Sequence, residues 1–394
     1  MRNPFKPTAG MTPPVLVGRK ADIEDFSCAL DDGVGAPGRL MYVTGARGVG
    51  KTVMLNALGD VARERGWLVI DETANHGFIS RLIDALQDND KTRDGKTHIT
   101  SWTMPSGSLA IPGTSVDASL SLGSIQFTPT EQSLDFRKAM TRKLDQLEKN
   151  GLGILITLDE VQPSSIEEIR ALATTIQHLI REKRNIAFVF AGLPTLVENV
   201  IDDDVLTFLR RAERKHLEDV DLDEVRHAFA VTITTNGKHA SDDVLDRLTQ
   251  ATNGYPFMIQ LVGYWAWHAS EVGPLADDKE ITRAAADKGV AQAELKLGDM
   301  VHGPVFNKPS PMKCDYLLAM AQDDGPSSTA EIAKRLKRDP GYANVYRTQL
   351  INEDLIYQSS YGYVDFRLPF MRDYLREHGA YLQMRENIKG RSEQ

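Results

Sequence analysis

The sequence predicts an α/β chain, with a parallel-sheet domain first, a helical segment after it and a small mixed domain at the end. Three observations predict this order. Strand-like apolar runs alternate with helical periodicities as far as residue 201, a glycine-rich loop joins one such strand directly to the helix that follows it, and strand-like runs are absent from there to about Leu297.

The opening from Asn3 to Pro14 is proline-rich and reads as an extended arm, because each proline removes a donor and biases its predecessor away from helix. Val17-Gly18-Arg19 then precedes a helix through Ile23 and Phe26. Arg39 to Thr44 is a short buried strand and GARGVGKT follows it directly. Met54, Leu55, Leu58 and Ala62 recur at helical spacing, and Gly66 is placed to end that helix in the left-handed conformation before a strand at Trp67 to Ile70. From about residue 97 to 127, Ser, Gly and Pro mix with alternating Val116, Ala118, Leu120 and Leu122, which predicts a β-hairpin insertion. Helical periodicity returns from Glu131 to Lys149 with Leu134, Phe136, Leu144 and Leu147. GILITLDE is a buried strand ending in two acids, Ser164 with Glu167 predicts a capping box for the next helix, and Asn185 to Ala191 is a further buried strand. The shift to all helix puts a boundary near Asp202.

Composition narrows the function classes. Hydrophobic residues at 41% and charged residues at 26% are the balance of a globular chain, and no apolar run approaches the roughly 20 residues that span a bilayer. The N-terminus has charge without an apolar stretch behind it, so no secretory signal is expected. Cys28 and Cys314 match no metal or redox spacing, and a reduced cytoplasmic setting is expected. The net charge of −9 excludes a global positive field, so any nucleic-acid contact must be local. From Lys308 onward 13 basic residues balance 12 acidic ones, which makes the C-terminal part the less repulsive to DNA.

Gly45-Ala46-Arg47-Gly48-Val49-Gly50-Lys51-Thr52 satisfies G-x-x-x-x-G-K-[ST] between a predicted strand and a predicted helix. Glycines let consecutive N–H groups turn inward on a phosphate, and the helix N-terminus, continuing through Val53, adds partial positive charge. This chemistry predicts ATP and Mg²⁺: Lys51 on the β- and γ-phosphates, the Thr52 hydroxyl on the metal. Asp159, at the end of a buried strand, is the candidate carboxylate for the metal shell, and Glu160 beside it the candidate general base. The plainer reading of both acids is a polar strand end.

With these residues the chain resembles the MNS and STAND groups of AAA+-like P-loop ATPases, among them origin-recognition-type initiators and actinobacterial ATP-binding proteins. The resemblance rests on Val17-Gly18-Arg19, GARGVGKT, ILITLDE and Gly254-Tyr255-Pro256, and on Asn3-Pro4-Phe5 and Pro13-Pro14 near the start. It implies a P-loop NTPase core over residues 1–201 and a helical lid over 202–304. It also implies that Gly18 and Arg19 contact base or ribose, and that Pro256 packs on the nucleotide. The alternatives are an ordinary surface arginine for Arg19 and a helix start for Pro256. Arg210-Arg211 fall where related ATPases keep an arginine finger for a neighbouring subunit, implying a nucleotide-dependent homo-oligomer; a solvated basic helix end is the other reading. Two departures imply slow hydrolysis. Phe190-Ala191-Gly192 carries no polar sensor before Thr195, and Pro256 is followed by Phe257 rather than an arginine.

From Ser310 the pattern changes. A helix with Tyr316, Leu317, Leu318 and Met320, a second begun by Ser328 to Glu331, a turn at Asp339-Pro340-Gly341 and a third helix from Tyr342 to Asn352 precede two strands around Ser359 to Gly362. That order predicts a winged helix over 305–394. With Val345, Leu350 and Ile351 expected inward, Asn344, Arg347 and Thr348 are the candidate groove residues, and Lys337 and Arg338 the candidate phosphate contacts on duplex DNA. Two functions follow as expectations. One is an ATP-controlled DNA-binding regulator or initiator; the other is a STAND-like signalling or defence switch whose winged helix docks on protein.

Overall fold

The structure is a computed structural model, and it describes residues 2–8, 10–13, 15–88, 129–161, 163–202, 206–272, 277 and 279–379. The hairpin expected at 97–127 lies outside the described residues.

Five parallel strands form the main sheet: β1 (Leu40–Gly45), β2 (Leu68–Thr73), β3 (Ile154–Asp159), β4 (Ile186–Gly192) and β5 (Glu213–Leu217), in the order β2-β3-β4-β1-β5. β3 and β4 are almost wholly buried, as continuous apolar runs covered on both faces must be. One face carries α1 (Lys20–Asp31) and α2 (Lys51–Glu64). The other carries α3 (Phe78–Asp88), α4 (Pro129–Leu147), α5 (Ile166–Arg181) and α6 (Pro194–Ile201). Phe188 and Phe190 stack at 5.4 Å on the second face and help to fill it.

β5 corrects the expectation that strands end near residue 201. Its sequence, ERKHL, has no apolar alternation, because as an edge strand only Leu217 is fully buried. It is held by register with β1, Tyr42 opposite Arg214 and Gly45 opposite Leu217, and by Lys215, whose ammonium meets Asp22, Asp25 and Glu213 within 3.1 Å. The sheet therefore runs past the boundary expected at Asp202. The capping box also differs: α5 starts after Ser165, Glu167 pairs with Arg170, and Glu168 accepts hydrogen bonds from the Gly77 and Ile79 amides.

After the sheet come α7 (Leu222–Thr235), α8 (Asp242–Thr252), α9 (Pro256–Ala269) and α10 (Arg283–Leu297). Asp221 caps α7 by accepting from the Asp223 and Glu224 amides, and Thr282 caps α10 by accepting from Ala285. α9 is apolar nearly all round and shares one core with α2 and the first sheet face, so sheet and helical segment are not separated by solvent. A five-residue π turn (Gly298–His302) and α11 (Gly303–Phe306) lead into the last unit. There α12 (Pro311–Met320), β6 (Ser327–Ser328), α13 (Thr329–Arg335), α14 (Pro340–Asn352), β7 (Ile356–Ser360) and β8 (Tyr363–Phe366) enclose a separate core around Tyr316, Leu350 and Val364. Its sheet order is β6-β8-β7, antiparallel throughout. Among the described residues no helix is long and apolar enough to cross a membrane.

Helices α9 and α10 approach so closely at Gly289 that a Cβ there would stand 2.4 Å from the Ala266 backbone. Gly289→Ala should therefore destabilise the chain by about 1–3 kcal/mol despite the better helix propensity of alanine. The thermal midpoint should fall by several degrees; a rise would contradict this packing.

Candidate nucleotide site

The loop after β1 and the start of α2 build one end of a cavity of about 890 Å³. Arg19, Arg47, Gly48, Val49, Gly50, Lys51, Thr52, Val53, Asp159, Glu160 and Pro256 all line it. Of the other expected residues, Gly45 and Ala46 lie behind the loop, where their carbonyls accept hydrogen bonds from the Lys51 ammonium at 2.7 Å each. Gly18 packs against Val220. Arg210 and Arg211 are exposed in a turn ahead of β5 and do not line the cavity; the Arg210 guanidinium donates to the Ile201 and Asp202 carbonyls at 3.3 Å.

At the loop, the Thr52 hydroxyl donates to Asp159 Oδ2 at 2.6 Å, and the Glu160 amide donates to Asp159 Oδ1 at 2.8 Å. Glu160 adopts φ 54°, which turns the chain sharply after β3 and leaves its side chain exposed at the cavity wall. Thr52 and Asp159 together form an oxygen pair of the kind a hard divalent cation takes as a minority of its shell, phosphate and water supplying the rest. Among the described residues no three His, Cys, Asp or Glu side chains converge into a protein-only metal cage. Burial pushes the Lys51 ammonium down to about 8, against the pull of Asp159 and Asp354. An anion placed at the loop would oppose that burial penalty and hold the charge on.

Three contributors were not singled out from the sequence. The first is Tyr255. It is fully buried, and its hydroxyl donates to the Arg47 carbonyl at 2.9 Å, pinning α9 to the phosphate loop. A Cβ on Gly48 would stand 2.0 Å from that hydroxyl, and Gly48 has φ 76°, so the motif's middle glycine is required by the tyrosine above it as well as by the turn. Gly254, at φ 75°, accepts from the Val220 amide at 2.8 Å, with no room for a Cβ beside the Val220 carbonyl. The second contributor is the N-terminal arm, which lines the cavity through Lys6, Thr8, Gly10 and Met11.

The third is Asp354, just past α14. It is 2% exposed; Oδ1 accepts from Arg367 Nε at 3.0 Å, while buried Oδ2 has no hydrogen-bond partner. Burial raises its pKa, and Arg367, Lys51 and Arg47 pull it back down. The Thr195 hydroxyl, the first polar side chain after β4, donates to the Asn352 carbonyl at 3.4 Å, so it is turned to the C-terminal unit rather than to the cavity.

On α14 the expectation is corrected in part. Ala343 and Leu350 face inward, but Val345 is 53% exposed, because the helix turns its Ala343 side to α12 and α13. Asn344 and Thr348 are exposed. Arg347 is half-buried, donating to Asn344 Oδ1 at 3.3 Å and Gln358 Oε1 at 2.6 Å. Lys337 and Arg338 are exposed, the Arg338 guanidinium lying over the Tyr342 ring at 5.2 Å from its centroid.

Residues 15–189 match the AAA ATPase domain family model. Residues 299–375 match a second model, a domain of unknown function (DUF8462). An uncharacterised HTH-type transcriptional regulator of Methanocaldococcus jannaschii is 21% identical, over 91% of this chain and 88% of its own. The Walker-type ATPase of Pyrococcus abyssi superposes with a TM-score of 0.63 at 14% identity, covering 92% of this chain and 96% of that one. The ORC2 protein of Aeropyrum pernix, solved as ADPNP–ADP complexes, gives 0.61 at 12% identity over 97% and 98%. At such identities these likenesses speak to fold: the sheet domain has the P-loop NTPase fold.

Tyr255→Phe deletes one hydrogen bond and leaves the Arg47 carbonyl short of a donor. It should cost about 1–2 kcal/mol and lower the thermal midpoint by a few degrees. An unchanged midpoint would show that this bond does not hold α9 to the loop.

Proposed function

We propose that the chain binds ATP with Mg²⁺, hydrolyses it slowly, and uses the nucleotide to control a C-terminal winged helix that binds duplex DNA, as a regulator or initiator. The observation that carries the chemistry is the Thr52–Asp159 contact at 2.6 Å beside a complete phosphate loop, with Glu160 next in the chain and on the same cavity wall. In this reading Lys51 and the loop amides neutralise the phosphates, Thr52 and Asp159 hold the metal, and Glu160 orients and deprotonates the attacking water. Mg²⁺ would supply charge neutralisation across the β- and γ-phosphates. Arg19 and Pro256 take the base and ribose side. Arg210 and Arg211 serve a neighbouring copy, an assignment supported by their exposure away from this chain's own cavity. The absence of a polar side chain along Ala191-Gly192-Leu193 supports slow turnover.

DNA binding is supported by the order helix, strand, two helices and hairpin in the last unit, and by exposed Lys337, Arg338, Asn344 and Thr348. Similarity to an HTH-type regulator along most of the chain points the same way. A second reading, a STAND-like switch whose last unit docks on protein, is favoured by a different observation. Arg347 is tied to Gln358, and the Asn352–Asp354 end of α14 is turned to the AAA domain.

Lys51→Ala should abolish retention of ATP in equilibrium dialysis, whereas Glu160→Gln should retain it and lose turnover by about 10²-fold or more. Full turnover in Glu160→Gln would remove Glu160 as the base. Duplex DNA should be retarded in a gel with affinity that falls steeply with salt, and Lys337→Ala with Arg338→Ala should flatten that slope by about two ions. No retardation at any salt would leave the protein-docking reading.

A further inference from the structure

We propose that residues 3–8 with Gly10 and Met11 are part of the nucleotide site: a strap, fastened to α9 at one end and to α2 at the other, that sets how long a purine nucleoside triphosphate is retained. This rests on the nucleotide reading and deepens it, since the phosphate loop alone accounts for capture and not for release.

The first fastening is Phe5. It is 3% exposed, lies 5.8 Å from the Phe229 ring, and sits on Gly263 so closely that a Cβ there would enter its ring at 2.3 Å. Burying such a ring stabilises by about 1.5–3 kcal/mol, far more than an extended segment of this length gains otherwise. Polar contacts fix the register. Asn3 Nδ2 donates to the Tyr264 carbonyl at 3.0 Å, Asn3 Oδ1 accepts from the Phe5 amide at 3.1 Å, and the Lys6 amide donates to Gln260 Oε1 at 3.0 Å. The second fastening is on the other wall. Asn56 Nδ2, one turn into α2, donates to the Gly10 carbonyl at 3.0 Å. A Cβ on Gly10 would stand 3.7 Å from Thr52 Cγ2, so the strap passes directly beside the residue read as the metal ligand.

The two fastenings lie on opposite walls of the cavity, which in this proposal part as a nucleotide leaves. α2 begins in the phosphate loop, while α9 begins at Tyr255-Pro256 on the opposite wall. Any separation of these walls stretches the strap, pulling either Phe5 from Gly263 or Gly10 from Asn56. Release therefore includes the cost of one fastening, whereas entry to the opened site does not regain it until the walls close. Retention depends on the strap more than capture does.

The two ends can be loosened independently in the full chain. Asn56→Ala removes the α2 fastening with a side chain that contributes nothing to the core. Gly263→Ala ejects the Phe5 ring while improving the helix propensity of α9. Release of a fluorescent mant-ATP with Mg²⁺, chased by excess ATP in stopped flow, should quicken about fivefold in Asn56→Ala, one neutral hydrogen bond's worth. In Gly263→Ala it should quicken about tenfold or more, with association within about twofold of the wild type in both. The proposal is overturned if both variants, melting cooperatively, release at the wild-type rate. It is equally overturned if association and release rise together and leave affinity unchanged, since the strap would then be only a gate to entry. A wild-type chain that retains no mant-ATP would overturn the nucleotide reading itself, and is told apart by its failure before any variant is compared.

Discussion

The approach of Tyr255 to the phosphate loop is the contact on which the arrangement of the first two units depends. A side chain that is fully buried brings its only polar atom to the Arg47 carbonyl, and the loop accepts it because Gly48 has no Cβ. The hydrogen bond alone contributes about 1 kcal/mol. Its consequence is larger, because it fixes the start of α9 over the loop. Val220 and Gly254 clamp the same corner by a backbone hydrogen bond, so the segment leaving β5 and the start of α9 are tied together directly behind it. Burial drives the phenol well above its ordinary pKa, so the hydroxyl is a donor at any physiological pH.

With the walls fixed, the electrostatics of the cavity follow. Lys51 is desolvated, and its ammonium bridges two loop carbonyls, Gly45 and Ala46, at 2.7 Å each. These bonds curl the side chain along the loop, so its charge stays at the loop rather than reaching into solvent. Asp159 divides its oxygens between the Thr52 hydroxyl and the Glu160 amide, and the amide bond is what the left-handed turn at Glu160 makes available. The same turn carries the Val161 amide to the Ala191 carbonyl at 3.1 Å, which joins the ends of β3 and β4 beneath the acids. The loop, the Thr52–Asp159 pair and Glu160 are thus held together by hydrogen bonds within the chain.

Much of this was legible in the sequence. β1, β3 and β4 are continuous apolar runs, which is the pattern of a strand buried on both faces, and the loop motif carries its own structural context. β5 was not legible. An edge strand with Arg214 and His216 turned outward has neither alternation nor apolar run, and its pairing with β1 is a tertiary fact. Tyr255 was hidden for another reason. A tyrosine between a glycine and a proline reads as part of a helix start, and only the fold brings it to Arg47, more than 200 positions earlier. Val345 misled because an apolar residue on an amphipathic helix is read as inward, whereas α14 gives its inner face to Ala343 and Leu350.

The end of β4 is where the loop's chemistry meets the C-terminal unit. Gly192 is followed by Leu193 on the cavity wall, and a Cβ on Gly192 would press on Val161 and Val197, so that position is closed by apolar packing and offers no polar group to a phosphate. The polar contact next along the chain goes elsewhere: Thr195 at the start of α6 donates to Asn352 at the end of α14. Two residues further, Asp354 is held buried with one oxygen on Arg367 and the other without a partner, under the attraction of Lys51 and Arg47. A buried carboxylate with half its hydrogen bonds unmade is a costly arrangement, retained here first by Arg367, with Lys51 and Arg47 adding to its pull. The C-terminal unit meets the end of β4 through the Thr195–Asn352 hydrogen bond, with Asp354 two residues further along the chain.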